Sequence, residues 1–311
     1  MWLYNFGLSL YAFAIALVSP WHRKAKRWRD GRKHLLQRMA EAIDPSEPIV
    51  WVHVASLGEF EQGRPIIEKI RLEHPRYKIL LTFFSPSGYE IRKDYPGADY
   101  IFYLPIDTPR NARRFLDIVR PEIAIFVKYE FWINLLTGLR RRGIRTYIVS
   151  AIFRRNSVFF RQWGGLWRQA LETFDTLFVQ NEESRILLGK LGFDNVVVAG
   201  DTRFDRVAQI AANAKRIELV ERFRGGERLF VAGSTWGPDE ELLIELMNAN
   251  PGIKFVVAPH EMDESRIARL IGETRGGAVR YTRCTDSTVL DDKQLLILDT
   301  VGILASVYGY A

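Results

Sequence analysis

Ile49-Val50-Trp51-Val52 is an uninterrupted apolar run, and His-Val-Ala-Ser-Leu-Gly-Glu follows it at residues 53–59. An apolar run of this kind, directly followed by turn residues, is typical of a buried strand in an α/β domain. Ser56 and Gly58 are turn and cap residues, and the apolar positions between 60 and 72 are compatible with a helix. The segment therefore predicts a strand, a tight turn and a helix.

Glu59 is placed at this predicted turn. A carboxylate at the start of a helix lies near free backbone N–H groups and the positive end of the helix dipole, which favour its ionised form. Such a group suits a general base near neutral pH. A simple helix cap would explain the same pattern, so the segment alone leaves both interpretations open.

Apolar runs alternate with helix-like stretches along the rest of the chain. The first series has runs at 78–84, 122–128, 145–150, 175–180 and 196–199, and helix-like stretches at 60–73, 86–93, 109–118, 131–142, 164–172 and 182–191. The second series has runs at 229–232, 254–258, 278–282 and 294–298, and helices near 238–249 and 261–272. This alternation predicts an α/β fold with two facing Rossmann-like domains, whose parallel sheets are covered on both faces.

The predicted organisation has five parts. These are a membrane anchor at 1–21, a basic juxtamembrane segment at 22–47, a Rossmann-like domain at 48–205, a linker at 206–228 and a second Rossmann-like domain at 229–311. The second sheet has only four recognisable strands, so we expect this domain to be truncated.

The predicted anchor contains no charged side chain, and about 20 apolar residues suffice to cross a bilayer. Seven basic residues follow it: Arg23, Lys24, Lys26, Arg27, Arg29, Arg32 and Lys33. The positive-inside bias then places the remaining chain on the cytoplasmic face of the inner (plasma) membrane. An interfacial amphipathic helix is the alternative interpretation.

Charge and composition indicate which classes of partner and cofactor to expect. The formal net charge is +7 and the pI about 9.5, with a basic excess beside the predicted anchor that suits anionic lipids. No nucleic-acid-binding module is recognisable, and we expect no nucleic acid partner. The single cysteine, Cys284, excludes an intramolecular disulfide, and the five histidines lack a metal-ligand spacing. We therefore expect neither a metal nor a cofactor.

Charged side chains in the first domain follow predicted strands. Glu130 lies among Tyr129, Phe131 and Trp132, and Arg154 and Arg155 come after the next strand. Ligands of open parallel sheets bind at the carboxyl ends of the strands, where an arginine suits a carboxylate or a phosphate.

Arg203 lies near the predicted domain junction. Each arginine could equally be a solvated surface charge. The expected convergence of Glu59, Glu130, Arg154 and Arg203 on one rim favours a functional site.

Three segments of the second domain occupy the same kind of position. Gly233-Ser234-Thr235 follows a strand and precedes a helix, so its N–H groups could hold a phosphate, although an ordinary turn would look alike. Pro259-His260 and Val301-Gly302 follow two further strands. A nucleotide would bind at this edge.

Taken together, these segments resemble the Kdo transferases, membrane-anchored glycosyltransferases that move 3-deoxy-D-manno-octulosonic acid (Kdo) from CMP-Kdo to a lipid A precursor. The resemblance covers nearly the whole chain and depends on the order and spacing of its motifs. They are Val54-Ala-Ser-Leu-Gly-Glu59, Tyr129-Glu-Phe-Trp132, Ser150-Ala151, Gly200-Asp-Thr-Arg-Phe-Asp205, Ala232-Gly-Ser-Thr235, Ala258-Pro259 and Asp299-Thr-Val-Gly302.

The resemblance implies a GT-B fold, with the acceptor bound by the first domain and CMP by the second. It implies that Glu59 is the general base of an inverting transfer in lipopolysaccharide core biosynthesis and that Glu130 is a second acidic site residue. Arg203 stands where the family commonly has lysine, in a charge-stabilising role. The anionic acceptor would then lie near Ser56, Gly58, Arg154 and Arg155.

The donor side departs from the family pattern at two places. Pro259 and His260 align where many members have Pro-Arg, and Val301-Gly302-Ile303 aligns where many have a glutamate after the glycine. With Gly233, Ser234 and Thr235 they form the expected nucleotide contacts. Further donor motifs of the family are expected beyond Ala311.

Two other functions remain compatible with the residues. A membrane-associated GT-B transferase that uses a UDP-sugar and a lipid acceptor would keep the fold and change the donor. A non-catalytic, membrane-bound anion-binding protein would not need Glu59 in its cleft. Comparison of CMP with UDP binding tests the first, and a change of Glu59 to Gln tests the second.

Overall fold

The computed structural model describes residues 1–212 and 216–311. It contains two compact units, Met1–Arg206 (unit 1) and Val207–Ala311 (unit 2). Each unit has its own parallel sheet and its own hydrophobic core.

The sheet of unit 1 has seven parallel strands in the order β3-β2-β1-β4-β5-β6-β7. The strands are β1 Ile49–Val54, β2 Lys78–Phe83, β3 Tyr100–Tyr103, β4 Ile123–Val127, β5 Arg145–Ala151, β6 Thr176–Val179 and β7 Val196–Val198. Every residue of β1 is buried. The strand order reverses between β1 and β4, which is where doubly wound sheets bind ligands.

Helices cover both faces of this sheet. They are α1 Trp2–Val18, α2 Arg23–Asp30, α3 Leu35–Ala42, α4 Leu57–Glu73, α5 Pro86–Arg92, α6 Pro109–Val119, α7 Ile133–Arg141, α8 Gly165–Leu171 and α9 Glu182–Gly189. Helix α10, Arg203–Ala212, begins at the end of unit 1 and continues into unit 2. Alternate residues of β1 enter different cores: Trp51 packs with Phe115 and Phe126, whereas Val52 packs with Phe60 on the other face. Burial on both faces explains the near-continuous apolar runs.

Unit 2 has four parallel strands in the order β10-β11-β9-β8. The strands are β8 Arg228–Thr235, β9 Ile253–Pro259, β10 Ala278–Arg280 and β11 Leu295–Ile297, and the helices are α11 Glu218–Arg224, α12 Gly237–Ala249, α13 Glu264–Glu273 and α14 Leu304–Val307. The predicted α/β fold with parallel sheets is confirmed.

Two features of this fold were not predicted. Strand β3 has four residues, of which only Tyr103 is fully buried, so it is too short for a periodic signal. The predicted linker at 206–228 contains α11, which buries Val220 and Phe223. Residues 213–215 of that linker lie outside the described residues.

The membrane-spanning anchor predicted over residues 1–21 is not supported. In the described ranges, 1–212 and 216–311, no helix is both long enough and apolar enough to cross a membrane. Helix α1 has 17 residues. At about 1.5 Å per residue it spans roughly 25 Å, compared with a hydrocarbon core of about 30 Å.

Helix α1 instead has two different faces, one turned toward the protein and one toward the surroundings. The inward face, at least partly buried against unit 1, is Tyr4, Asn5, Leu8, Ala12 and Ile15. The outward stripe, whose residues are 57–75% exposed, is Leu3, Phe6, Leu10, Phe13 and Leu17. Both sets recur at intervals of three or four residues, apart from the adjacent pair that starts the inward face, and such spacing gives two sides of one helix.

Residues 22–47, predicted as a basic juxtamembrane segment, form α2 and α3 and pack on the sheet. Trp28 and Met39 are buried there. The guanidinium of Arg32 lies 4.0 Å from the centre of the Trp28 ring. It also donates hydrogen bonds to the carbonyl oxygens of Phe84 at 2.8 Å and Leu104 at 2.9 Å. Arg32 therefore fastens the N-terminal helices to the ends of β2 and β3.

Candidate active site

The turn between β1 and α4 holds Glu59. Ser56 is the N-cap of α4, and Glu59 is the third residue of the helix, in its first turn. The hydroxyl of Ser56 donates a hydrogen bond to Oε2 of Glu59. The positive end of the α4 dipole favours negative charge at this position. Glu59 is half-buried, so its carboxylate remains accessible.

The loop between β4 and α7 holds Glu130, which is 8% exposed. Its Oε2 accepts hydrogen bonds from Nε2 of His53 at 2.9 Å and from Nε1 of Trp132 at 2.7 Å. Since β1 and β4 are paired neighbours, the turn that carries Glu59 and the loop that carries Glu130 lie at the same edge of the sheet.

The segment after β7 is hydrogen-bonded to α4. Thr202 donates from Oγ1 to the carbonyl oxygen of Gln62 at 2.6 Å, and Nε2 of Gln62 donates to Oδ1 of Asp201 at 2.9 Å. Ser150, at the end of β5, has a left-handed backbone (φ 52°), and its hydroxyl lies 2.8 Å from that of Thr202. Residues 200–202 are thereby joined to the helix of Glu59.

Arg203 is not an independent cation in this arrangement. Its Nε donates to Oδ2 of Asp201 at 2.8 Å. Burial raises the pKa of Asp201, but hydrogen bonds from Arg203 and Gln62 outweigh it and hold that pKa below its ordinary value. The pair therefore stays ionised at neutral pH, and the guanidinium is exposed on its other side.

Arg154 and Arg155 occupy an exposed turn after β5. The backbone N–H of Arg154 donates to Oγ of Ser157 at 3.2 Å, and the guanidinium of Arg155 lies 3.8 Å from Glu183. In the described part of the chain neither side chain bonds to Glu59 or Glu130. Gly58 is exposed in the first turn of α4.

In unit 2, the turn after β8 holds Gly233, Ser234 and Thr235. Ser234 is exposed, with a left-handed backbone (φ 57°). Thr235 is buried, and its hydroxyl donates to Oε1 of Glu240 at 3.0 Å, which joins the turn to α12. A Cβ on Gly233 would lie 2.0 Å from the hydroxyl of Tyr308, so a larger residue there would require the Tyr308 side chain to move.

The neighbouring turns of unit 2 lie at the same edge. The backbone N–H of His260 donates to the carbonyl oxygen of Thr235 at 2.9 Å, and the His260 ring stacks on Trp236 at 4.4 Å. Pro259 is buried. Beyond β11, Val301 is exposed, Gly302 has a left-handed backbone (φ 98°) and Ile303 is half-buried. The turns after β8 and β9 are thus in direct contact.

Sequence reasoning did not assign a role to His53, Gln62 or Asp201. His53 did carry a signal, because it is the only polar residue in the buried run of β1. Its partner is 77 residues away, and the pairing of β1 with β4 cannot be read from spacing. Among the described residues, no group of three or more His, Cys, Asp or Glu could hold a metal ion.

Several solved structures share this fold. UDP-GlcNAc 2-epimerase from Neisseria meningitidis matches with a TM-score of 0.56 and 13% identity, over 84% of this chain and 74% of that one. MurG from Acinetobacter baumannii matches with a TM-score of 0.52 and 11% identity, over 85% and 70%. This likeness concerns the fold, which is that of the GT-B glycosyltransferases.

The family model described as 3-deoxy-D-manno-octulosonic-acid transferase (kdotransferase) matches residues 26–206, more than half of the chain. The chain belongs to this family.

Three curated relatives give the extent of the similarity. The 3-deoxy-D-manno-octulosonic acid transferases of Haemophilus influenzae and Aquifex aeolicus are 23% and 25% identical, over 88% and 86% of this chain. A bifunctional glycosyltransferase/methyltransferase of Fusobacterium nucleatum is 24% identical over 96% of it. The chain spans 67%, 69% and 48% of these three proteins, respectively.

Proposed function

We propose that this protein transfers Kdo from CMP-Kdo to a lipid A precursor with inversion at the anomeric carbon. Family membership supports the sugar that is moved. The observation that carries the proposal is the pair of carboxylates, Glu59 and Glu130, at the edges of neighbouring strands β1 and β4. A single displacement needs one base on the acceptor side, and this edge supplies it.

Glu59 is the general base in this mechanism. It takes the proton from an acceptor sugar hydroxyl while that oxygen bonds to the anomeric carbon of Kdo, and the bond from that carbon to the CMP phosphate breaks. The hydrogen bond from Ser56 fixes one carboxylate oxygen and leaves the other available for this proton. Negative charge on the departing phosphate requires cations or N–H groups, and Arg203 is the cation we assign to it.

The anionic acceptor lies near the first turn of α4 in this proposal. Ser56 and Gly58 border the base, while Arg154 and Arg155, on their exposed turn, contact the acceptor phosphates. The donor nucleotide lies at the strand edge of unit 2, against Ser234, His260 and the segment 301–303. Gly233, Thr235 and Pro259 then act by shaping the turns.

Helix α1 supplies the membrane contact. Its outward stripe of five exposed apolar side chains suits the boundary between headgroups and acyl chains, with the helix axis in the membrane plane. The inward face is hydrogen-bonded to unit 1 through Tyr4 and Asn5. Basic residues of α2, such as Lys24 and Arg27, suit anionic lipids of the inner membrane.

The test is a transfer assay with full-length protein, in situ generated CMP-Kdo and a tetraacylated lipid A precursor in detergent. We expect Glu59→Gln to lower kcat by about 10²- to 10⁴-fold, the usual scale for loss of a general base. Glu73→Gln, at the far end of the same helix, is the matched control and should leave kcat unchanged.

Equal rates for wild type and Glu59→Gln would reject Glu59 as the base. A folded wild-type protein without product would reject CMP-Kdo as donor, and the same assay with UDP-sugars would then test the alternative donor class.

A further inference from the structure

A chain of buried hydrogen bonds runs through β1 and β2 to Glu130. The side chain of His53 is completely buried, with Nδ1 2.9 Å from Oγ1 of Thr82 and Nε2 2.9 Å from Oε2 of Glu130. Nε1 of Trp51 donates to the same Oγ1 of Thr82 at 2.8 Å. Trp132 contributes the second donor to Oε2 of Glu130.

The partners of the two ring nitrogens bear on the position of the imidazole proton. Nδ1 of His53 faces the Thr82 hydroxyl, which can donate or accept, and the Thr82 carbonyl oxygen at 3.1 Å. The Trp132 N–H lies 3.0 Å from Nε2 but 2.7 Å from Oε2 of Glu130, so its shorter contact is with the carboxylate. A carboxylate oxygen is the stronger acceptor, so we place a ring proton on Nε2, which donates it to Glu130. The opposite tautomer would place the Nε2 lone pair against a carboxylate oxygen at 2.9 Å, which is repulsive when Glu130 is ionised.

We propose that His53 is a positioning residue, which uses its Nε2–H together with the Trp132 N–H to hold one oxygen of Glu130 and leave Oε1 to accept a sugar hydroxyl. The assignment rests on the function proposed above. In the described part of the chain, Oε1 of Glu130 has no hydrogen-bond partner. A carboxylate fixed by two donors on one oxygen presents the other in a single orientation.

Loss of the Nε2–H would release this orientation. Oε2 would keep only the Trp132 donor, and the carboxylate would be free to rotate toward the space left by the imidazole. Misplacement of a reacting or orienting group by about 1 Å costs roughly 100-fold in rate. The expected defect is therefore one of turnover at unchanged fold.

The first test does not need activity. The full chain is labelled with ¹⁵N-histidine, and the signal of His53 is assigned from its absence in His53→Gln. We expect the ¹⁵N shifts of the Nε2–H tautomer in the wild type, and a change in these shifts in Glu130→Gln. Observation of the Nδ1–H tautomer would overturn the proposal. So would ¹⁵N shifts of His53 that are the same in the wild type and in Glu130→Gln.

The second test compares two amides at position 53. Glutamine places its N–H near the position of Nε2, whereas asparagine places it near that of Nδ1. We expect His53→Asn to lower kcat by about 100-fold and His53→Gln to keep most of it, at equal thermal stability. In a Glu130→Gln background, His53→Asn should add no further loss. Equal losses for both amides, or additive losses with Glu130→Gln, would reject positioning through Glu130.

Two buried threonines provide a matched control. Thr82→Val removes the hydroxyl partner of Nδ1, but not the carbonyl oxygen, and should lower kcat. Thr146→Val, in β5, removes a buried hydroxyl that donates to the carbonyl oxygen of Ile144. Equal effects of the two changes on kcat would contradict a role of the Thr82–His53–Glu130 hydrogen bonds in positioning. A wild type without transfer but with the Nε2–H tautomer would reject the proposed reaction and retain the assignment of the proton.

Discussion

The hydroxyl of Tyr4 donates a hydrogen bond to Oδ2 of Asp107 over 2.7 Å, which joins α1 to the loop before α6. Asp107 is completely buried and also accepts the backbone N–H groups of Asn134 and Leu135, both at 2.9 Å. One carboxyl group thus holds α1 and the start of α7. Burial raises the pKa of Asp107 to about 7, although these hydrogen bonds lower it.

This raised pKa predicts a pH dependence of stability. Below the unfolded value of 3.8 both states hold the proton. Between there and about 7 the unfolded chain releases it while the folded protein retains it, so the free energy of unfolding falls as pH rises and levels off above about 7. A shift of this size corresponds to a few kcal/mol, at about 1.4 kcal/mol per unit.

Urea unfolding of the wild type and Asp107→Asn, at about pH 5 and about pH 8, measures this dependence. We expect the wild type to lose more stability than the variant over this interval. Parallel behaviour of the two proteins would contradict the assignment to Asp107.

A second prediction concerns Arg32. Lysine cannot reach the carbonyl oxygens of Phe84 and Leu104 together while it covers Trp28, so Arg32→Lys leaves buried acceptors without donors. We expect a loss of about 2–3 kcal/mol in the free energy of unfolding. Arg27→Lys, an exposed residue of α2, is the control, and equal stability of both variants would show that Arg32 is dispensable.

The outward stripe of α1 predicts a separable membrane defect. Leu10→Ser and Phe13→Ser should each weaken binding to phosphatidylglycerol vesicles by about tenfold or more. Burial of each apolar side chain in the membrane would contribute roughly 1.5–3 kcal/mol to the free energy of binding. Thermal stability should not fall, since both side chains are exposed in the protein. Leu72→Ser, an exposed leucine of α4, should bind like the wild type. Sedimentation with vesicles measures all three.

Gly88 predicts a steric link between α5 and the site. A Cβ there would lie 2.4 Å from the Phe83 ring and 3.0 Å from the backbone carbon of Ser56. Gly88→Ala should cost about 1–3 kcal/mol of stability and disturb the turn that holds Glu59. Gly189→Ala has open space at the end of α9, and its thermal unfolding should match or exceed that of the wild type. Unchanged thermal stability of Gly88→Ala would show that α5 can move away from Phe83 and Ser56.

The strands were predictable because the parallel sheet is buried on both faces. The run at 78–84 matches β2 at Lys78–Phe83, and the run at 145–150 matches β5 at Arg145–Ala151. Helix α1 was predicted to span the membrane because an apolar composition fits two cases equally well. One is a helix surrounded by lipid, and the other is a helix with one face packed against the protein. The hydrogen bonds of Tyr4 and Asn5 make that distinction, and they depend on partners more than 100 residues away.

For the candidate site, the sequence could place each residue at the end of its own strand, but it could not predict contacts between strands. Glu59 and Glu130 follow apolar runs, and this placed them at the carboxyl edge of a sheet. The contact of His53 with Glu130 needs the strand order, which spacing does not contain. The roles of Glu59 and Glu130 are predictions for the assays above, and the role of Arg203 is a proposal.

Gln62 bonds to two successive residues of the segment that leads to α10. Its amide donates to Asp201 and its carbonyl oxygen accepts from Thr202, and it lies one helical turn after Glu59 on α4. Helix α10, through which the chain leaves unit 1, begins at the next residue, Arg203. Because these hydrogen bonds join the two segments, we expect a rotation of α10 to move the helical turn that carries the proposed base. The path by which the chain leaves the unit would then influence the direction of this carboxylate.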